Sequence, residues 1–361
     1  MIIVDAHQDL AWNMLTFDRD YTLSAAEIRQ RERNTEIPAR NGDTLLGWPD
    51  YQRGRVAIIF ATLFAAPIRA KLGPWDTQHY ANANQAYTIY NAQLDAYYRL
   101  SDQHPDKFRL VLNQVDLKDI LSHWDRDEFN SHLVGLVPLM ECAEAVRHPS
   151  ELEEWWVRGV RIIGPAWKGT RFCGGTNEPG PLTKEGFALL DGMNDLGFTL
   201  DLSHMDEKAV LGSLDTYPGR IIASHANAQA LLKGTESNRF LSDRVIHGII
   251  ERGGTIGIVP FNRFLVSGWK SSDGRESVSL SHVVAQIDHI CQIAGNAGHV
   301  GIGSDFDGGF GLQKTPAEID TIADLAKLIP YLGEKGYTEE DIAAVLGRNW
   351  IDFLSQSLPE G

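Results

Sequence analysis

With 361 residues, 43% of them hydrophobic and 22% charged, the chain has ordinary globular composition and enough length to bury a large core, which excludes a disordered polypeptide. Its formal net charge of −15 has no compensating basic tract, so a polyanion such as nucleic acid would be repelled over most of the surface. Cys142, Cys173 and Cys291 are widely spaced and form no CxxC pair, which argues against a disulfide framework and a structural zinc knot and points to a reducing, cytoplasmic setting.

The chain opens on a short apolar run, Ile2-Ile3-Val4, that passes into Asp5-Ala6-His7-Gln8-Asp9. That opening has neither the basic n-region nor the apolar length of a signal peptide, and no later run reaches the ~18 apolar residues of a membrane span. No hydrophobic anchor tail follows at the end, so no membrane partner is expected. Further β-rich runs return at 56–64, 133–140, 160–163, 198–202, 220–223, 255–259 and 300–302, making eight with 2–4. A ninth, 108–112, is shorter and is treated as accessory. Between the runs, 80–100 repeats apolar residues at Ala83, Tyr87, Tyr90, Leu94 and Tyr97, a helical spacing, and 183–196 and 281–293 behave similarly. No repeat or linker divides the chain, so a single domain over 1–361 is expected. Eight parallel strands with helical crossovers make either a closed (β/α)8 TIM barrel or a doubly wound open sheet.

The residues that follow the strands decide between the two. His7 and Asp9 follow the first, Glu141 the third, His204 the fifth, His225 the sixth, and Asp305 and Asp307 the eighth. A closed parallel barrel gathers these ends on its C-terminal face, whereas an open sheet spreads them along a line.

His7 and Asp9 sit two residues apart in extended chain, so imidazole and carboxylate can grip one cation; a capped turn is the bland alternative. Two successive strands end in the same dipeptide, Ser203-His204 and Ser224-His225, which places two imidazoles side by side. Asp201 alternates away from His204 and reads as a hydrogen-bonding group. A carboxylate at Glu141, after a long apolar strand, is costly to bury without a compensating charge, and its two oxygens can bridge two cations. Glu144 competes for that role, but Glu141 is nearer the strand end. The turn Gly303-Ser304-Asp305-Phe306-Asp307-Gly308-Gly309 has two acids and no Lys or Arg, which opposes a bound phosphate. Asp305 is the candidate general base, able to return its proton to a leaving amine. His7, Asp9, Glu141, His204 and His225 are too many ligands for one open catalytic zinc and suit two divalent ions; the imidazoles favour Zn2+, for which cobalt, manganese or iron can substitute.

Asp5-Ala6-His7-Gln8-Asp9-Leu10-Ala11-Trp12, the 200–204 segment, Ser224-His225-Ala226-Asn227-Ala228, Arg239-Phe240-Leu241-Ser242-Asp243 and Gly303 to Gly308 together resemble the membrane (renal) dipeptidase family of amidohydrolase-type metallohydrolases, over nearly the whole of 4–354. The resemblance implies a (β/α)8 barrel with a binuclear zinc centre, His7, Asp9 and Glu141 holding one ion and Glu141, His204 and His225 the other. It further implies that Asp305 shuttles the proton and that Arg239 pairs with the substrate's C-terminal carboxylate, a role suited to a planar guanidinium. Members of such a family often form homodimers, and Trp75 and Trp269 are candidate exposed contacts.

Three departures stand out. Trp167 occupies the position of the family's substrate-contacting His, where it either narrows the pocket or packs at the rim. Cys142 replaces a glycine after the bridging Glu and reads as a buried structural thiol, because neighbouring residues at a strand end face opposite ways. Pro260-Phe261-Asn262-Arg263 ends the seventh strand, and Arg263 is a candidate second anion contact. The expected reaction is hydrolysis of a small dipeptide, including one with a C-terminal D-residue. Hydrolysis of another small amide, an N-acyl amino acid or a lactone is the alternative, and a non-catalytic metal-binding barrel is a third reading.

Overall fold

Apolar runs with no polar alternation form strands covered on both faces, and here eight of them lie parallel: β1 (Ile3–Gln8), β2 (Val56–Leu63), β3 (Val134–Glu141), β4 (Ile162–Gly164), β5 (Thr199–Asp201), β6 (Ile221–Ile222), β7 (Ile256–Ile258) and β8 (Val300–Ile302). The computed structural model describes residues 1–126 and 131–361. Strand neighbours run in order from β1 to β6, β1 also pairs with β8 in the register Asp5↔Ile302, and β8 pairs with β7. A parallel bridge, Ala223↔Ile256, then joins the β6 end of the path to β7. The sheet is therefore a ring, the (β/α)8 TIM barrel, and not the open alternative. The accessory run forms Phe108–Leu110, which pairs with β3 in the register Phe108↔Val134 off the ring path.

Several strands are shorter than the apolar runs that announce them. Beyond their ends the backbone amides turn to side chains: Ser203 N and Ser224 N donate to Asp201 Oδ1 at 3.0 and 2.9 Å, and Ser304 N donates to Asp5 Oδ1 at 2.6 Å. These buried carboxylates end the ladder and begin the site.

The helices follow their caps. Helix Ala83–Gln103 starts later than the apolar spacing suggests because the Asn82 side chain accepts from Gln85 N. It stops before His104-Pro105, as the residue ahead of a proline disfavours helix. Thr183 caps Lys184–Leu196, and Leu280–Ala294 covers the third expected helix. The C-terminal helix Asn349–Ser357 packs on β8, where a Cβ at Gly301 would lie 2.2 Å from Trp350 Nε1. That indole donates to Ile302 O at 3.0 Å.

All three cysteines are buried free thiols, and Cys142 has φ of 71° with its Sγ 3.5 Å from Tyr80 Oη. The two tryptophans expected as exposed dimer contacts are otherwise engaged. Trp269 is buried, its indole donating to Gly274 O and Ser277 Oγ at 3.1 Å each. Trp75 is half-buried, stacked on Phe17 at 5.5 Å and edge-on to Trp12 at 6.3 Å. Among the described residues, no helix is long and apolar enough to cross a membrane.

Candidate metal centre and substrate pocket

Four strand ends bring the expected donors together at the C-terminal mouth of the ring. His7 Nε2 lies 3.6 Å from Glu141 Oε2, 3.7 Å from Asp9 Oδ2 and 3.9 Å from Asp305 Oδ1. The other carboxylate oxygen, Glu141 Oε1, lies 3.0 Å from His204 Nε2 and 3.4 Å from His225 Nε2. Glu141 thus divides its two oxygens between two nitrogen sets. The groups His7, Asp9, Glu141 and Glu141, His204, His225 each keep one ligand atom per residue within 4.8 Å of the others, as does a third grouping of His7, His225 and Asp305. Glu144, the competing carboxylate, is spent on Arg171 Nη1 at 2.5 Å.

Neighbouring hydroxyls aim the imidazoles. Ser224 Oγ donates to Asp201 Oδ2, so it accepts from His225 Nδ1 at 2.8 Å and leaves the His225 Nε2 lone pair facing inward. His204 Nδ1 contacts Thr176 Oγ1 at 2.9 Å, which turns its Nε2 toward His225 Nε2, 2.9 Å away. His204 and Asp305 take left-handed φ values of 65° and 57°, conformations that a non-glycine residue adopts only when its surroundings enforce them. Gly308 permits the tight turn: a Cβ there would come within 2.1 Å of Asp305 Oδ1 and 2.7 Å of Asp9 Oδ2.

Burial and close charges perturb one another throughout the cluster. Burial holds His204 down to about 4, with Arg239 adding to it, and burial with the charge of His7 holds His225 well below its ordinary value. For His7, burial opposes protonation, yet Glu141, Asp9 and Asp305 outweigh it and push the imidazole up to about 10. Burial likewise raises Glu141, but His7, His204 and His225 hold it well below the carboxylate range. Asp9 is pushed up to about 7 and Asp305 well above its ordinary value, both chiefly by burial. His7 Nε2 and Asp9 Oδ1 are buried with no hydrogen-bond partner. Two such orphaned atoms, in a cluster of three imidazoles and two carboxylates with their ligand atoms close together, fit divalent cations.

Beside the cluster opens a cavity of about 420 Å³ that Asp9, Glu141, His204, Arg239 and Asp305 share with Trp12, Phe64, Trp167, Phe261, Phe264 and Phe310. Arg239 is 4% exposed rather than a surface charge. Its Nη2 donates to His225 O at 2.6 Å, its Nε and Nη1 have no partner, and its guanidinium lies 5.3 Å from the Phe264 ring centroid. Burial lowers its pKa. Two unpaired buried donors on a rigid fork suit a carboxylate. Trp167 lines the cavity edge-on to Phe64 at 5.1 Å and 6.2 Å from the His204 ring. Arg263 is exposed and does not line the cavity, so the expected second anion contact is withdrawn.

Sequence reasoning missed the support beneath Asp305. Asp307 is fully buried and accepts from Arg19 Nη1 at 3.0 Å, Tyr21 Oη at 2.8 Å and Leu45 N at 3.0 Å. Asn13 Nδ2 donates to both Asp9 O and Asp307 O, at 2.9 and 3.0 Å, stapling the first strand's loop to the last. The paired acids of the 305–307 turn were the available signal for Asp307; Arg19 and Asn13 carried none.

A parallel barrel whose strand ends present clustered imidazoles and carboxylates beside the buried Arg239 guanidinium has the form of a metal-dependent enzyme. The family model for membrane dipeptidase (peptidase family M19) matches residues 1–357, and the chain belongs to that family, with the metal cofactor that membership implies. An uncharacterized protein in the pqqA 5′ region of Klebsiella pneumoniae is 35% identical over 214 residues, 56% of this chain and 74% of that protein. Two solved structures cover 99% of this chain and 99% of their own: the metallopeptidase dipeptidase AC, at TM-score 0.79 and 24% identity, and a Rhodobacter sphaeroides metallopeptidase bound to a phosphinate mimic of L-Ala-D-Ala, at 0.78 and 23%. They support the barrel fold. Matched segments span between 61% and 74% of the curated relatives' lengths.

Proposed function

We propose that this chain is a dipeptidase that binds two divalent ions, zinc foremost, and hydrolyses small dipeptides, including those with a C-terminal D-residue. The observation that carries the reading is Glu141 with one oxygen toward His7 and the other toward His204 and His225, in the same cavity as the unpaired donors of Arg239. His7, Asp9 and Glu141 would hold one ion and Glu141, His204 and His225 the other. When bound, such ions polarise a carbonyl and acidify the attacking water. The chain's own residues do the rest. Arg239 takes the substrate's α-carboxylate on Nε and Nη1, which fixes the scissile bond over the cluster. Asp305 takes the water's proton and returns it to the departing amine. The mimic bound by the Rhodobacter sphaeroides protein supports the inclusion of D-residues. Three unpaired buried thiols support a reducing, cytoplasmic setting.

Trp167 on the cavity wall favours a second reading, in which the same centre cleaves another small amide, an N-acyl amino acid or a lactone. Assaying the metal-loaded protein against L,L- and L,D-dipeptides, N-acyl amino acids and lactones separates the two. Asp305→Asn should lose at least about a hundredfold in kcat while keeping its metal; full turnover by the metal-loaded variant would overturn the assignment.

A further inference from the structure

Five aromatic residues of the cavity form two sets, with Trp12, after β1, at the seam between them. Phe64 follows β2 and Trp167 follows β4, whereas Phe261 and Phe264 follow β7 and Phe310 follows β8. In a ring of eight strands β3 lies across the axis from β7, so the two sets face each other over the donor cluster. The second set is continuous with the guanidinium: Arg239 lies 5.3 Å from Phe264, Phe264 lies 4.9 Å from Phe261, and Phe261 stacks on Phe310 at 4.3 Å with the rings 13° apart. A carboxylate held by Arg239 belongs to the residue nearest this wall.

Charge on the cavity lining narrows that residue further. Among the described residues lining the cavity the cations are Arg239 and Lys168, and the Lys168 ammonium lies 5.6 Å from the Trp167 ring, in the opposite set. An acidic side chain beside Phe261 and Phe310 would lose its hydration without gaining a partner, whereas an aromatic or long aliphatic one exchanges water for ring contact. We propose that the substrate residue bearing the free carboxylate carries a large apolar side chain, aromatic foremost, and that Phe261 and Phe310 set that preference. The inference rests on the dipeptidase reading above and on Arg239 as the carboxylate's partner.

The test is kcat/KM of the metal-loaded full chain on dipeptides sharing an N-terminal L-Ala and ending in Gly, Ala, Asp or Phe, the chiral residues supplied in both L and D forms. The Phe substrate, in whichever configuration is turned over, should exceed the Gly and Asp substrates by about tenfold or more. Phe261→Ala and Phe310→Ala should each lower the Phe-to-Gly ratio of kcat/KM about tenfold, and the Leu variants, which keep apolar bulk, should restore most of it. Equal or faster cleavage of the Gly or Asp substrate, or a ratio unmoved by both Ala variants, would overturn the inference and leave the dipeptidase reading intact. Failure to cleave any member of the panel would overturn both.

Discussion

Arg19→Met should destabilise the fold by about 3 to 5 kcal/mol, the cost of removing one partner from a buried ion pair. The Arg19 side chain is fully buried between two carboxylates, with Nε and Nη2 donating to Glu32 at 2.8 and 3.0 Å and Nη1 to Asp307 at 3.0 Å. Further bonds run to Asn13 Oδ1 at 3.2 Å and Gly42 O at 2.9 Å. Methionine fills much of the volume but leaves both acids without their cation. Asp307 retains Tyr21, Thr44 and Leu45 N, so most of the loss falls on Glu32. Arg19→Met/Glu32→Gln should therefore be more stable than the sum of the single losses by at least about 1 kcal/mol. Urea unfolding followed by tryptophan fluorescence measures both quantities. A loss below about 1 kcal/mol for Arg19→Met, or strict additivity in the double variant, would refute the view that Glu32 depends on this guanidinium.

Metal analysis by inductively coupled plasma mass spectrometry should find two ions per chain, one fewer in His225→Ala and fewest in Glu141→Ala, because Glu141 faces both nitrogen sets; equal losses in the two variants would contradict a shared carboxylate. Arg239→Met should lower kcat/KM on a dipeptide by about ten- to a hundredfold, the worth of a charge-assisted bond, and much less on the corresponding dipeptide amide. Asp324 is raised by burial, but Lys327 and the Thr321 and Asp320 amides lower it further, leaving its pKa below the ordinary value. A depressed carboxylate stabilises the fold above its unfolded pKa, near 3.8, and that contribution vanishes as pH falls through the folded value. Asp324→Asn should accordingly cost about 0.5 to 1 kcal/mol at pH 7 and progressively less as pH falls below 3.8, read from urea midpoints across that range.

The barrel was legible because buried parallel strands are short apolar runs, and their rhythm survives in the sequence without knowledge of pairing. The donor residues were legible for a related reason: a polar group directly after such a run has to sit at a strand end. Glu141 and the two Ser-His pairs carry that signal locally. The support around Asp307 did not, because Arg19 and Asp307 are 288 residues apart in sequence and each looks locally like an ordinary charge. Trp269 was misjudged for a different reason, since its partners are close in sequence. Residue types around a tryptophan do not show that a following turn brings the chain back, here so that the indole reaches Gly274 and Ser277.

The seam between β1 and β8 joins segments made nearly three hundred residues apart, with Asp5 beside Ile302. His7 and Asp9 leave the ribosome first, and Asp305 and the turn that packs against Asp9 emerge only after some three hundred further residues have been made. A growing chain therefore carries its first donors unassembled throughout that interval. Hydrolytic competence arrives late and all at once, when the closing staves of the cylinder meet.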